Sequence, residues 1–192
     1  MTGSPDTSNA TAAGPAVDRE TLLVELVDEQ GRAQGSLSVA AAHTAPGRLH
    51  RAFSVLLFDA AGQALLQQRA GVKTRFPLLW TNTCCGHPEP GQAVVEAAAK
   101  RLQEELGITA ELTEVGAFTY QATDPNTGRV EFEFDHVLIG TLDHAAPEPN
   151  PDEVADIAWV RPDTLAEDVA AEPAHYTPWL GGVLATIAVA TA

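Results

Sequence analysis

The sequence predicts an α+β fold in which a mixed β-sheet is flanked by helices. Strand-like segments come in pairs joined by turn signals, one strongly periodic helix lies in the middle of the chain, and a short strand followed by helical segments ends it. A chain of 192 residues that is 45% hydrophobic can bury the core of one domain. We therefore expect a single domain over residues 21–192, preceded by a disordered tail at residues 1–20, which are rich in Ser, Thr, Ala, Gly and Pro.

The first half of the domain predicts two hairpins. Residues 21–28 and 35–40 flank a polar turn, and residues 51–59 and 63–69 flank the turn Ala-Ala-Gly. In both pairs, apolar and β-branched residues dominate the segments, and glycine is present in the connection.

A central helix is predicted over residues 91–108. Its apolar residues recur at a helical period: Val94, Val95, Ala98, Leu102 and Leu106. Gly107 follows the last of them and is typical of a helix C-terminus.

Residues 111–121 and 130–140 predict a third strand pair around the turn Asp-Pro-Asn-Thr-Gly-Arg, and residues 156–161 a short strand. Helical segments then complete the chain. The apolar run at residues 179–192 is shorter than the ~20 residues of a membrane span and is interpreted as a packed helix.

The charge of the chain restricts its partners. The formal net charge is −15 and the sequence pI about 4.6, which disfavours nucleic acid and anionic membranes as partners. A phosphate-bearing ligand would need a local group of cations, or metals. The N-terminal segment lacks the basic and apolar regions of a secretory signal, so the expected location is the cytoplasm.

The two cysteines of the chain are adjacent, at Cys84 and Cys85. Neighbouring cysteines do not easily adopt the geometry of an ordinary disulfide, so both are expected to be reduced thiols. At least one of them is a candidate for chemistry, because His87 follows two residues later.

A candidate metal cluster emerges from histidines and a carboxylate pair. Glu131 and Glu133 are two apart on a predicted strand and therefore share a face, although a half-exposed strand explains them equally well. Together with His43, His50 and His87 they would form a His₃Glu₂ set, which suits Mn²⁺, Mg²⁺ or Zn²⁺. The remaining histidines are interpreted as structural: His136, His144 and His175.

Glu104 and Glu105 lie near the C-terminus of the central helix, where carboxylates are slightly unfavourable and usually solvated. Glu105, however, borders the apolar stripe of that helix. A carboxylate held at such a position is a candidate metal ligand.

Several short motifs resemble one family. Their sequences are HTAPGRLHRAFS at 43–54, WTNTCCGHP at 80–88, EELG at 104–107, TYQATDP at 119–125, EFE at 131–133 and YTPWL at 176–180. This set resembles the type I isopentenyl-diphosphate Δ-isomerases of the Nudix superfamily, from about residue 21 to about residue 182. The resemblance implies a Nudix-like mixed-sheet sandwich with flanking helices.

The activity that the resemblance implies is the isomerisation of isopentenyl diphosphate to dimethylallyl diphosphate in isoprenoid biosynthesis. The reaction proceeds by protonation and deprotonation through a carbocation-like intermediate. By similarity, Cys85 and Glu133 are the acid/base groups, Tyr120 hydrogen-bonds near Glu133, and Trp179 faces the developing cation. Cys84 would then be a packing residue.

The resemblance also implies the ligands. It assigns His43, His50, His87, Glu131 and Glu133 to a divalent metal, Mn²⁺ or else Zn²⁺ or Mg²⁺. It assigns Glu105 to a Mg²⁺ that arrives with the diphosphate, and Arg69, Lys73 and Arg101 to the diphosphate itself. The expected partner is thus a small-molecule diphosphate, bound by a monomer or weak dimer.

One position departs from the family. A lysine commonly stands four residues before the first metal histidine, and here that residue is Val39. Either the diphosphate site has one cation fewer, or another residue supplies it.

Two alternatives compete with the isomerase. A Nudix hydrolase usually carries an Arg-Glu pair before the Glu-Glu pair and a glutamate upstream, where this chain has Lys100, Arg101 and Ala97. A non-catalytic metal- or ligand-binding module would not need Cys85, Tyr120 and Trp179 together.

Overall fold

The computed structural model describes residues 18–142 and 146–191 of the chain. The strands in this part are β1 (Leu23–Val27), β2 (Ala33–Ser38), β3 (His50–Phe58), β4 (Ala64–Arg69), β5 (Trp80–Thr81), β6 (Cys84–Gly86), β7 (Thr113–Thr123), β8 (Val130–Thr141) and β9 (Val154–Val160). The helices are α1 (Val39–Ala42), α2 (Val94–Leu106), α3 (Pro162–Ala171) and α4 (Leu180–Ala190). Short 3-10 helices lie at Arg19–Thr21 and Pro173–His175.

Most of the predicted tail, residues 1–17, lies outside the described residues, as does His144. The last residues of that segment, by contrast, enter the 3-10 helix Arg19–Thr21. Its N-cap is Asp18, whose side chain accepts a hydrogen bond from the amide of Glu20.

Strand β3 is the centre of a mixed sheet. It pairs antiparallel with β1, β4 and β6 and parallel with β8, and β8 in turn pairs antiparallel with β7. The predicted mixed sheet, the first hairpin (β1 and β2) and the third strand pair (β7 and β8) are therefore confirmed.

The second predicted hairpin is only partly right. Strands β3 and β4 pair at a single position, Phe58 with Ala64, and then diverge. Strand β4 continues against β9, while β3 forms a long parallel ladder with β8 that begins where His50 faces Glu133. Because β3 is almost entirely buried, its backbone N–H and C=O groups need strand partners along both edges, and the divergence from β4 leaves room for them.

Alternation along β3 divides the interior into two layers. Phe53, Val55 and Leu57 pack with the apolar face of α2, whereas Leu56 packs with Leu180 of α4 on the opposite side. Helices therefore cover both faces of the sheet, and the catalytic candidates lie on the α4 side.

Helix α2 is shorter than predicted, since residues 91–93 precede it. It ends at Gly107, as predicted, in the left-handed conformation with φ of 67°. The apolar stripe of α2 is buried, and Glu105 at its border is only 1% exposed.

Helix α4 begins directly after Trp179 and lies against β7. The close approach depends on Gly182, because a Cβ at this position would stand 2.3 Å from the Phe118 ring. Within residues 18–142 and 146–191, every helix is too short or too polar to span a bilayer.

Candidate active site

A cavity with an empty volume of about 530 Å³ opens between the α2 and α4 sides of the fold. All the predicted catalytic residues line it: Cys85, Tyr120, Glu133 and Trp179. The predicted diphosphate cations line it too: Arg69, Lys73 and Arg101. The fold thus brings residues that are far apart in sequence together around one cavity.

The five predicted metal ligands form one cluster beside this cavity. Each offers one ligand atom, and these atoms lie within 4.8 Å of one another. His43 caps the C-terminus of α1 and His50 begins β3, while Glu131 and Glu133 share a face of β8. His87 follows β6 and closes the set.

Backbone contacts fix the orientation and tautomer of two of the imidazoles. His43 Nδ1 lies 2.7 Å from the carbonyl of Val39, and His50 Nδ1 lies 2.7 Å from the carbonyl of Arg48. A carbonyl only accepts, so both Nδ1 atoms carry the proton, and in the neutral rings both Nε2 lone pairs point into the cluster.

The cluster contains buried polar atoms that no hydrogen bond satisfies. His43 Nε2, His50 Nε2 and Glu131 Oε2 all lack a partner among the described residues. His43 Nε2 approaches Glu131 Oε2 to 2.7 Å without hydrogen-bond geometry. Convergent, unsatisfied nitrogen and oxygen donors fit a divalent cation.

Protonation in the cluster is set by burial and by Glu133. Burial lowers the pKa of His87 to about 4, despite its contact with Glu133, so this ring is neutral and able to bind metal. Burial alone would also lower the pKa of His50, but the Glu133 carboxylate, whose Oε1 lies 3.5 Å from His50 Nε2, raises it. A proton and a divalent cation therefore compete for His50 Nε2.

Glu133 uses its two oxygens differently. Oε1 lies 2.7 Å from His87 Nε2 and 3.5 Å from His50 Nε2, whereas Oε2 accepts a 2.6 Å hydrogen bond from the Tyr120 hydroxyl. Burial opposes the ionisation of Glu133, but the neighbouring His50 and His87 imidazoles outweigh it and lower its pKa. Glu133 is therefore a carboxylate that links the cluster to the cavity.

The two cysteines lie in different cores. Cys84 is fully buried in the core beneath α2, whereas Cys85 packs beside Trp179 and Tyr120. Burial raises the pKa of Cys85 to about 12, although Arg69 Nη1, 3.7 Å from its sulfur, acts in the opposite direction. At neutral pH, Cys85 is thus a thiol that faces the cavity.

Trp179 is held by a residue to which the sequence analysis gave no role. Its Nε1 donates a 3.0 Å hydrogen bond to Asn82 Oδ1, and Asn82 Nδ2 donates to the carbonyl of Cys84 at 2.7 Å. Asn82 therefore ties the indole to the cysteine strand. The Arg69 guanidinium lies 5.4 Å from the Trp179 ring centroid, a cation–π contact at the cavity wall.

A second polar group surrounds Glu105. This residue does not line the cavity but lies behind Arg101, which donates to it, and Gln67 Nε2 donates to its other oxygen at 2.9 Å. Glu153 contacts both Lys73 and Arg101. In this group each carboxylate already has cationic partners.

Three residues beside the cavity were missed by the sequence analysis: Arg75, Asn82 and Glu153. Asn82 lies inside the motif WTNTCCGHP, so the motif could have suggested it. Arg75 and Glu153 lie in loops with no periodic pattern, and only their contacts identify them.

Comparisons with known proteins identify the family of the chain. A family model described as the NUDIX domain matches residues 48–180. An isopentenyl-diphosphate Delta-isomerase of Nocardia farcinica is 68% identical over 161 residues, which cover 84% of this chain and 91% of that protein. One of Streptomyces griseus is 47% identical over 184 residues, 95% of this chain and 88% of that protein. The chain therefore belongs to the isopentenyl-diphosphate Delta-isomerases of the Nudix superfamily.

Solved structures support the fold alone. A Deinococcus radiodurans protein aligns with a TM-score of 0.68 at 21% identity, covering 85% of this chain and 97% of its own. The MutT protein of Methanosarcina mazei aligns with a TM-score of 0.61 at 16% identity, covering 74% of this chain and 95% of its own. The predicted Nudix-like sandwich is thus confirmed.

Proposed function

We propose that the chain converts isopentenyl diphosphate to dimethylallyl diphosphate in isoprenoid biosynthesis. The observation that supports this most directly is that the Cys85 thiol and the Glu133 carboxylate line one cavity together with five cationic side chains, among them Arg69, Lys73 and Arg101. An allylic isomerisation needs one proton donor, one proton acceptor and an anchor for the diphosphate.

The protonation states support an order of events. Cys85 donates its proton to the terminal carbon of the double bond, which leaves a tertiary cation one carbon away. Glu133 removes a proton from the carbon on the other side of that cation, so the double bond moves and the diphosphate stays attached. Tyr120 hydrogen-bonds Glu133 Oε2 and orients it for this transfer.

The cation must be kept from water. Trp179 is 3% exposed and packs with Phe76 and Tyr120 in an apolar wall of the cavity. Such a wall excludes water, and the indole face attracts positive charge by about 0.5–2 kcal/mol.

We assign the His₃Glu₂ cluster to Mn²⁺, with Zn²⁺ or Mg²⁺ as alternatives, and Glu105 to a Mg²⁺ that accompanies the substrate. A metal bound at the cluster would polarise and orient Glu133. Arg69, Lys73 and Arg101 bind the diphosphate and supply local positive charge in a protein of net charge −15.

A hydrolase is disfavoured by the environment of α2. Arg101 contacts Glu104, Glu105 and Glu153, so a fixed cation stands where a hydrolase has metal-binding carboxylates. Ala97 offers no carboxylate either.

A single experiment distinguishes the isomerase from the hydrolase. Isopentenyl diphosphate is incubated with the protein and Mg²⁺ or Mn²⁺ in D₂O and followed by NMR. We expect dimethylallyl diphosphate that carries deuterium and no released phosphate. Phosphate release without an allylic product would show a hydrolase instead.

We also propose that residues 21–192 act as one catalytic domain, as a monomer or weak dimer in the cytoplasm. The single catalytic domain is supported by the site itself, because all proposed catalytic and metal residues lie between positions 43 and 179 around one cavity. Light scattering across a concentration series would reveal a tight oligomer if there is one.

A further inference from the structure

We propose that Arg75 is a fourth diphosphate-binding cation and replaces the lysine that the family carries at the position of Val39. This inference rests on the proposed isomerase function, since it identifies a further contact to the same substrate.

Arg75 is anchored with one donor group left over. Its Nε donates to Glu131 Oε1 at 2.9 Å, and its Nη1 donates to Glu20 Oε1 at 2.7 Å. Its Nη2 group has no hydrogen-bond partner within residues 18–142 and 146–191. The side chain is 12% exposed and lines the catalytic cavity beside Arg69, Lys73 and Arg101. A held guanidinium with a remaining N–H pair suits a phosphate oxygen.

The position of Arg75 also links it to Val39. A neighbouring cavity, with an empty volume of about 1000 Å³, is lined by Val39, and Arg75 lines both cavities. A cation that extended from position 39 would therefore share a space with Arg75. The apolar Val39 is 6% exposed and offers no donor there.

Two nearby arginines fit the role less well. Arg19 also lines both cavities, but its side chain is 44% exposed and donates to Glu104, and such exposed pairs hold a side chain weakly. Arg129 lies 4.0 Å from Glu20 yet lines neither cavity. Arg129, whose Nη1 donates to the carbonyl of Ala40, provides a control, because its loss removes a cation beside Glu20 that lines neither cavity.

The test compares Arg75→Gln with Arg129→Gln. For Arg75→Gln we expect the KM for isopentenyl diphosphate and the inhibition constant of inorganic pyrophosphate to rise together, by about tenfold to a hundredfold, the range for losing a charged hydrogen bond. Arg129→Gln should leave both within twofold of the wild type. Adding Val39→Lys to Arg75→Gln should recover a large part of the loss, whereas adding Val39→Leu should not.

Three results would overturn the inference. Unchanged KM and pyrophosphate inhibition in Arg75→Gln would show that the guanidinium does not meet the diphosphate. A loss of kcat and bound metal at constant KM would mean that Arg75 acts only on Glu131. If Val39→Lys recovered none of the loss, a cation at position 39 would not be able to replace the Arg75 guanidinium. The proposed function itself fails on a different result, namely wild-type protein that forms no dimethylallyl diphosphate.

Discussion

The two polar groups beside the cavity neutralise their carboxylates in different ways. In the His₃Glu₂ cluster, Glu133 faces imidazole nitrogens, Glu131 lies between His43 and Arg75, and several buried polar atoms lack hydrogen-bond partners among the described residues. In the second group, Glu105 and Glu153 contact the permanent cations Arg101 and Lys73.

The difference indicates under which conditions each group would bind a metal. The histidine cluster brings together buried nitrogen and oxygen atoms without hydrogen-bond partners, so a divalent cation would find free ligand atoms there. The Glu105 group is already balanced by its own cations. A cation can join Glu105 favourably only when an incoming anion engages Arg101 and Lys73, which is the expected order if Mg²⁺ arrives with the diphosphate.

The largest expected change in turnover is for Glu133, which belongs to the His₃Glu₂ cluster and is also the proposed proton acceptor. Glu133→Gln keeps the shape and a hydrogen-bond acceptor for Tyr120 but removes the proton acceptor. We expect turnover to fall by about 10²- to 10⁴-fold, as for other positioned acid/base groups. Steady-state kinetics with circular dichroism as a check of folding would measure it; near-normal turnover would remove Glu133 from the mechanism.

The comparison predicts that metal stabilises the substrate-free protein through one group only. Added Mn²⁺ at about 100 times its Kd should raise the free energy of unfolding by about 2.7 kcal/mol. His43→Gln should abolish most of this gain, while Glu105→Gln should keep it. Denaturant titrations with and without metal check both, and equal losses in the two variants would contradict the distinction.

A smaller effect is expected at Glu153. Because Glu153 would compete with the diphosphate for Lys73 and Arg101, Glu153→Gln should lower KM by about twofold to fivefold, within the range of one modest ionic contact. Glu172→Gln, an exposed change in the ion pair with His175, is the control. An increase in KM would show instead that Glu153 holds the two cations in their binding positions.

The smallest change in turnover is expected for Cys84→Ser, which alters the core beneath α2 and not the cavity. Turnover should stay within about twofold, although a buried hydroxyl costs about 1–3 kcal/mol of stability.

The same variant leaves Cys85 as the only thiol, so its titration can be read by thiolate absorbance. The pKa of Cys85 is raised from 9.0 to about 12, so stability linked to this thiol is complete below pH 9 and is lost as the pH rises toward 12. A thiolate midpoint near 9 would contradict the burial of Cys85.

Local patterns predicted the parts of the site that depend on one element. The two-residue period of β8 placed Glu131 and Glu133 on one face, and the helical period of α2 placed Glu105 at a buried border. Both were found where the patterns put them. The meeting of β8 with His43, His50 and His87 was a weaker hypothesis from the residues, which the resemblance to a family strengthened, since scattered histidines have no spacing rule.

Long-range pairing was not predictable in the same way. The parallel ladder of β3 with β8 joins segments far apart in the chain, and nothing in the residues 51–69 distinguishes a full hairpin from strands that diverge after one pair. Loop charges such as Arg75 and Glu153 have the same limitation, because their meaning depends on which side chains the fold brings beside them.

Gly182 gives the fold a point of sensitivity outside the reaction. Because a Cβ there would overlap the Phe118 ring, any side chain would push α4 away from β7. Trp179 immediately precedes α4, and the Phe118 ring stacks on Tyr120 at 5.7 Å. A saturation scan of the chain should therefore record position 182 as intolerant, although it holds no atom that a substrate would touch.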